Sequence, residues 1–344
     1  MRAVRWWGRL PLLSLLMSLL MSMLLAFKAQ AGPVAAPPCD RAEPVPWREL
    51  APGVWVWEGA NEEVSPANAG HVAPTSVVVD SGQALVIDPG PGLQHGLRVR
   101  SSIRCRFKAR VVQVVNTHAH AENVLANAAF ADLPIAADAG TREAMVARCP
   151  DCLQSLTQRA GDAAMAGTTI VWPGVRLQPG DALRVGRLTL QVLDREQGHT
   201  ASDLVLWMPQ HRVLWAGGLA YGGRLPELAQ GSVEQWLAAL DRLQRLQPLR
   251  VVGSRVGDAG LLDATQLYLQ TLRSRVLAAM DAGRHAGELQ AVRLDEWAGW
   301  AGFAERQGFN TQRAWRELEP VWMDQATAPG AAPAPPASVE QVGR

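Results

Sequence analysis

The sequence predicts an α/β (α+β) protein: two mixed sheets packed face to face, with helices on the outside. Three observations carry this. Apolar, β-branched runs such as "TSVVVD" and "RVVQVV" are bounded by turn residues, as strands are. Segments such as "SVEQWLAALDRL" instead show helical spacing of their apolar residues. The two halves also repeat one plan, strands followed by a histidine-bearing loop and then helices, which two sheets with helices on their outer faces would satisfy.

In chain order, "GVWVWEG" (53–59) reads as a strand, and "TSVVVDSGQALVIDPG" (75–90) as two strands joined by a Ser81-Gly82 turn. "GLQHGLRVRSSIRCRF" (92–107) has helical character, and "ARVVQVVNTH" (109–118) is a buried strand ending at histidines. A helix is expected from Glu122 or Asn123, then a strand "PIAAD" (134–138), then two short helices, 139–149 and 151–161. In the second half, "RLTLQVLD" (187–194) leads into the loop "REQGHTASD" (195–203). A hairpin at 204–218 turns at Pro209-Gln210, and a helix at 232–246 precedes a short strand at 249–254. Residues 259–322 look helical, with Trp297, Trp300, Trp315 and Trp322 read as packing residues.

Lys and Arg total 33 against 32 Asp and Glu, so composition offers no case for a nucleic-acid or acidic partner. Arg2, Arg5 and Arg9, an uncharged run from 10 to 27 and Ala29-Gln30-Ala31 have the layout of a secretory signal cleaved after residue 31. The same run is nearly long enough to be an uncleaved anchor, which would be the sole membrane attachment. The expected organisation is a signal peptide at 1–31, a Pro-rich linker at 32–46, a main domain at 47–258, a helical extension at 259–325 and a disordered tail at 326–344. Export to a bacterial periplasm puts Cys39, Cys105, Cys149 and Cys152 in an oxidising compartment. Cys149 can pair locally with Cys152, leaving Cys39 with Cys105. A redox-active Cys-x-x-Cys is the alternative, without a thioredoxin-like βαβ context around it.

His118 and His120 in "NTHAHAEN" carry the chemistry. On a helix, residues two apart point about 200° away from each other and could not share a metal. On an extended segment they project to one side and can, and "VVQVV" before them makes the segment extended. Zinc in a catalytic site takes three protein ligands and an open position. His199 occupies the equivalent loop of the second half and is the third candidate. His71 is given a structural role near the site, whereas His95, His211 and His285 are placed on the surface.

Over residues 47–257 the chain resembles the metallo-β-lactamase superfamily, through "VVVDSGQALVIDPGPG", "VVNTHAHAEN", "QGHTASDLVLWMPQHRVLWAGGL" and "LRVVGSRVG". It looks closest to the periplasmic zinc metallohydrolases of quinoprotein dehydrogenase and sulfur-oxidation systems, through "NVLANAAF", "AGTTIVWP", "RLPELAQGSVEQWLAALDRL" and "NTQRAWRELEP". The resemblance implies an αββα sandwich with a helical C-terminal extension, and first-metal ligands at His118, His120 and His199. It maps the second-metal set onto Glu122, Asn123, Gly218 and Arg255. Glutamate is a plausible but longer ligand and asparagine a poor one. Glycine has no side chain, and arginine stays cationic.

One zinc ion is therefore expected rather than two. Glu122, freed from ligation, is expected to act as general base. Arg255 is expected to pair with Glu122 or to hold an anionic substrate group. Asp88 is expected to orient a histidine and Asn123 to flank the site. Two readings follow: a hydrolase of a small ester, thioester or lactone, or a non-catalytic accessory protein binding a small ligand or a component of a periplasmic quinoprotein system.

Overall fold

Strand alternation sets the first sheet. The computed structural model describes residues 36–326, so the expected signal peptide and all of the expected tail beyond Ala326 lie outside the described residues. Strands β1 (Arg48–Ala51), β2 (Val54–Trp57), β3 (Thr75–Asp80), β4 (Gln83–Ile87), β5 (Arg110–Val115), β6 (Ile135–Ala137) and β7 (Val175–Arg176) lie side by side in chain order. Pairing is antiparallel from β1 to β4 and parallel from β4 to β7. Because successive side chains face opposite ways, Val78, Leu85 and Ile87 point to the second sheet, while Val77, Ala84 and Val86 face a helix, α1 (Leu93–Phe107). Ser81 and Gly82 both have positive φ, the conformation of a two-residue hairpin turn that matches strand twist.

The second sheet runs in the order β13-β12-β11-β10-β9-β8, formed by β8 (Ala182–Val185), β9 (Leu188–Val192), β10 (Leu206–Met208), β11 (Val213–Trp215), β12 (Arg250–Val252) and β13 (Val256–Gly257). The β10–β11 hairpin turns where the sequence predicts, with Met208 opposite Val213. Val56, Leu85, Ile87 and Val115 of the first sheet meet Leu190, Leu206, Met208 and Trp215 of the second to form the central core.

Helices cover both outer faces. A short α2 (Ala121–Val124) follows β5, and α3 (Ala139–Ala160) with α4 (Asp162–Met165) packs beside it. The sequence predicts two short helices where α3 is continuous. Pro150 removes one backbone bond, but Asp138 caps the start by accepting from Gly140 N–H, and Met145, Cys149, Leu156 and Ala160 bury one face. Over the second sheet lie α5 (Val233–Gln244), α6 (Gly260–Asp281) and α7 (Phe303–Ala326). Trp297 and Trp315 are buried, and Trp300 and Trp322 pack beside them, in a core shared with Trp207, Leu214 and Val251. The helical C-terminal region thus covers the sheet directly.

The expectations for the Cys149–Cys152 pair and for His95 need correction. Cys39 and Cys105 are bonded, but the local Cys149–Cys152 bridge is not formed: both are free thiols on α3. From residue 36 the expected linker is fastened to α1, since Ser101 and Arg104 donate to the Pro37 carbonyl, Arg98 donates to that of Pro44, and Val45 is buried. His95, expected on the surface, instead stacks on Trp57 at 4.3 Å and 5°, with His71 4.5 Å away. A helical pattern shows which face a residue occupies but not which ring waits opposite.

That ring cluster has a pH signature. Burial pushes His71 down to about 4 and His95 well below its ordinary value, so both are neutral in the fold. The unfolded chain takes up protons on these residues below 6.5, so their effect is to erode stability as pH falls from 6.5 towards 4. For His71 the full effect is on the order of 3 kcal/mol. Urea midpoints measured across this window should fall, and His71→Phe should flatten part of the slope.

Candidate metal centre

The centre forms where the two sheets hand their chains to loops. Strand β5 continues as Asn116 to His120, and His120 still has extended backbone (φ −78°, ψ 140°) as it caps α2. His118 and His120 therefore reach to one side, as their spacing predicts. His199 arrives on the loop after β9. Asp203 fixes that loop by accepting from Thr200 N–H and hydroxyl at 2.9 and 2.8 Å, and Leu204 N–H donates to the Thr117 carbonyl at 2.8 Å. This last bond ties the two histidine loops together. One ring nitrogen from each of His118, His120 and His199 lies within 4.8 Å of the others.

Hydrogen bonds select the tautomers. Thr117 donates its hydroxyl proton to Asp88 Oδ2 at 2.7 Å and so can only accept from His118 Nδ1, 2.9 Å away. That leaves His118 Nε2 with a bare lone pair. His199 Nδ1 donates to the Glu227 carbonyl at 3.0 Å, which strips its Nε2 in the same way. Such partners aim ligating imidazoles and raise their basicity. Asp88 acts on His118 through Thr117, whose N–H it also accepts at 2.8 Å, while the Asn123 side chain hydrogen-bonds to the same carboxylate. Burial pushes Asp88 up to about 7 against these bonds. Burial lowers His118 to about 3 and His199 well below its usual value, keeping both neutral, the form that binds metal.

The donor set fits a cation. His199 Nε2 and His120 Nδ1 are 3.1 Å apart. Two nitrogens each about 2.0–2.1 Å from one tetrahedral zinc ion would be about 3.4 Å apart, close to this separation. Across the centre, Gly218 leaves no room: a Cβ there would lie 1.9 Å from His199 Cδ2. The His199 ring occupies the space a side chain at 218 would need.

Beside the histidines opens a cavity of about 290 Å³ lined by Glu63, His120, Glu122, Cys152, Arg224 and Arg306, among others. Glu122 Oε1 is 3.9 Å from His120 Nδ1. Burial pushes Glu122 up, but His120 and Arg224 outweigh it and hold the carboxyl below its usual range. The structure brings His118, His120, His199, Glu122, Asn123 and Asp88 together, but not Arg255. Its guanidinium donates to the Gly222 carbonyl at 3.3 Å, over a Gly222-Gly223 pair whose missing side chains leave it space, and it forms no ion pair with Glu122. The arginine facing Glu122 is Arg224, only 3% exposed. Its Nη1 donates to the Glu62 and Val72 carbonyls, while its Nε has no partner. Arg224 opens the segment "RLPELAQGSVEQWLAALDRL", but its sequence position gives it no role at the site.

Helix α7 reaches the same place. Arg306 pairs with Glu63 at 2.8 Å and Glu227 at 3.5 Å and donates to the Leu225 carbonyl. Asn310 accepts from Leu228 N–H and donates to the Pro226 carbonyl and Tyr268 hydroxyl. Glu317 accepts from the Ser232 hydroxyl and Val233 N–H. The segment carrying the Glu227 carbonyl, and through it His199, is thus clamped from α7.

Residues 69–255 match the family described as the metallo-beta-lactamase superfamily. A type 2 metallo-beta-lactamase of Bacillus sp. (strain 170) is 25% identical over 222 residues, 62% of this chain and 78% of the relative. The solved metallo-beta-lactamase from Pontibacter korlensis superposes with a TM-score of 0.52 at 21% identity, covering 65% of this chain and 98% of that one. FIM-1 from Pseudomonas aeruginosa, solved in a mono-zinc form, gives 0.51 at 18% identity, covering 69% and 98%. The paired mixed sheets, the three-histidine centre and the family match over more than half of its length agree: the chain belongs to the metallo-beta-lactamase superfamily.

Proposed function

We propose that the protein is a mononuclear zinc hydrolase of a small ester, thioester or lactone that carries an anionic group. The observation behind this reading is the convergence of three imidazole rings, one nitrogen of each within 4.8 Å of the others, beside a position, 218, that can supply no ligand. A zinc ion held by His118, His120 and His199 would lower the pKa of a water to around 7 and polarise a carbonyl. Glu122, which lines the cleft, would take a proton from water entering it. Arg224, which lines the cleft with Glu122, would attract the substrate's negative end.

The setting belongs to the same proposal: an exported protein of the periplasm, working alongside a quinoprotein or sulfur-oxidation system. The N-terminal sequence, the Cys39–Cys105 bond and the branch motifs support it. A second reading, an accessory protein that binds its ligand without turning it over, draws on Gly218 and on Arg255 standing where the family places metal ligands. A panel of anionic esters, thioesters and lactones separates them. Turnover should vanish with a chelator and return with zinc. No turnover by zinc-loaded protein would favour the accessory reading, and turnover of a β-lactam alone would overturn the proposed substrate class.

A further inference from the structure

We propose that Cys149 and Cys152 on α3 form a disulfide-exchange site that opens into the metal cleft and is reversibly oxidised by small-molecule disulfides. Cys152 is half-buried and lines the cleft with His120, Ala121 and Glu122. Cys149 is fully buried one turn away, packed in the cluster that contains Ala119 and Ala121 of the histidine loop. The two cysteines are three residues apart on the same helix, so their side chains are neighbours.

The helix resists closing this pair, and Pro150 relieves the resistance. Side chains three apart on a helix have Cβ atoms about 5–6 Å apart, whereas a disulfide needs about 3.5–4.5 Å. The turn must therefore tighten. Pro150 stands between the two cysteines inside α3 and has no N–H, so one bond that would hold the turn in regular geometry is absent there.

Exposure sets the order of events. The Cys152 thiolate attacks one sulfur of an incoming disulfide RS–SR, a mixed disulfide forms, and RS⁻ leaves and takes a proton. Cys149 then attacks the Cys152 sulfur and expels the second RS⁻, which takes up the proton that the Cys149 thiol gives up. The protein dithiol and one RS–SR become a protein disulfide and two RSH. Cys39 and Cys105 are already bonded to each other and stay outside this couple. Closure moves a piece of the cleft wall beside His120 and Glu122, coupling the oxidation state of the pair to the metal cleft.

Glutathione is the probe. The full-length protein is equilibrated at a series of reduced and oxidised glutathione ratios, acid-quenched, labelled with a maleimide and weighed intact. Wild type should lose two thiols together as a single two-electron couple. Cys149→Ala should trap one glutathionyl group on Cys152, and Cys152→Ala should leave Cys149 at least ~10-fold less reactive than Cys152 is in wild type. The wild-type titration stands without either variant should one fail to fold. The proposal is overturned if both thiols persist at every ratio, if Cys149 reacts as fast as Cys152, or if modification requires denaturant.

Discussion

Protein purified without chelator should carry about one zinc per chain, and the double variant His118→Ala/His199→Ala should carry almost none. The size of the effect follows from the donor set. Among the described residues the donor group at the centre is three imidazoles, and one ring nitrogen of each already lies within 4.8 Å of the others. Taking two away leaves His120, one nitrogen, which cannot hold an ion against solvent or buffer. Metal analysis of the two preparations decides the matter, and a thermal scan gives an independent reading. Zinc at about 1,000 times its dissociation constant should stabilise wild type by about 4 kcal/mol and leave the double variant unmoved. A zinc-free wild type that takes up no metal on addition would end the hydrolase reading at once.

Glu122→Gln should lower kcat/KM by about 10²–10⁴-fold on any substrate found in the panel, with zinc content unchanged. Glutamine keeps the size of the side chain but cannot accept and carry a proton. Glu122 lies beside the three-nitrogen group and is not part of it, so the substitution separates proton transfer from metal binding. Kinetics and metal content measured on the same preparation check this. Parallel loss of zinc would make Glu122 a ligand, and unchanged turnover would remove it from the chemistry.

Much of this centre is legible in the sequence because its parts rest on short-range geometry. A period of two in an extended segment is enough to place His118 and His120 on one side, and the repeated plan of the halves points to His199. Turn chemistry likewise gives the Ser81-Gly82 hairpin. What escapes depends on contacts between distant segments. Arg224 and Arg255 are both loop arginines close to glycines; only the fold shows that one is drawn under the Val72 carbonyl while the other lies across Gly222. His95 looks like a surface residue until Trp57, from another strand, stacks on it. The break expected in α3 is absent because a buried face outweighs one missing backbone bond.

The region that matches the family stops at residue 255, yet a backbone carbonyl that aims one imidazole is steadied by side chains at 306, 310 and 317. Borders drawn by likeness alone would therefore sever a brace from the joint it steadies. Inherited changes near the chain's far end could loosen ion capture without touching any ligand, so variation there is to be judged as part of the pocket.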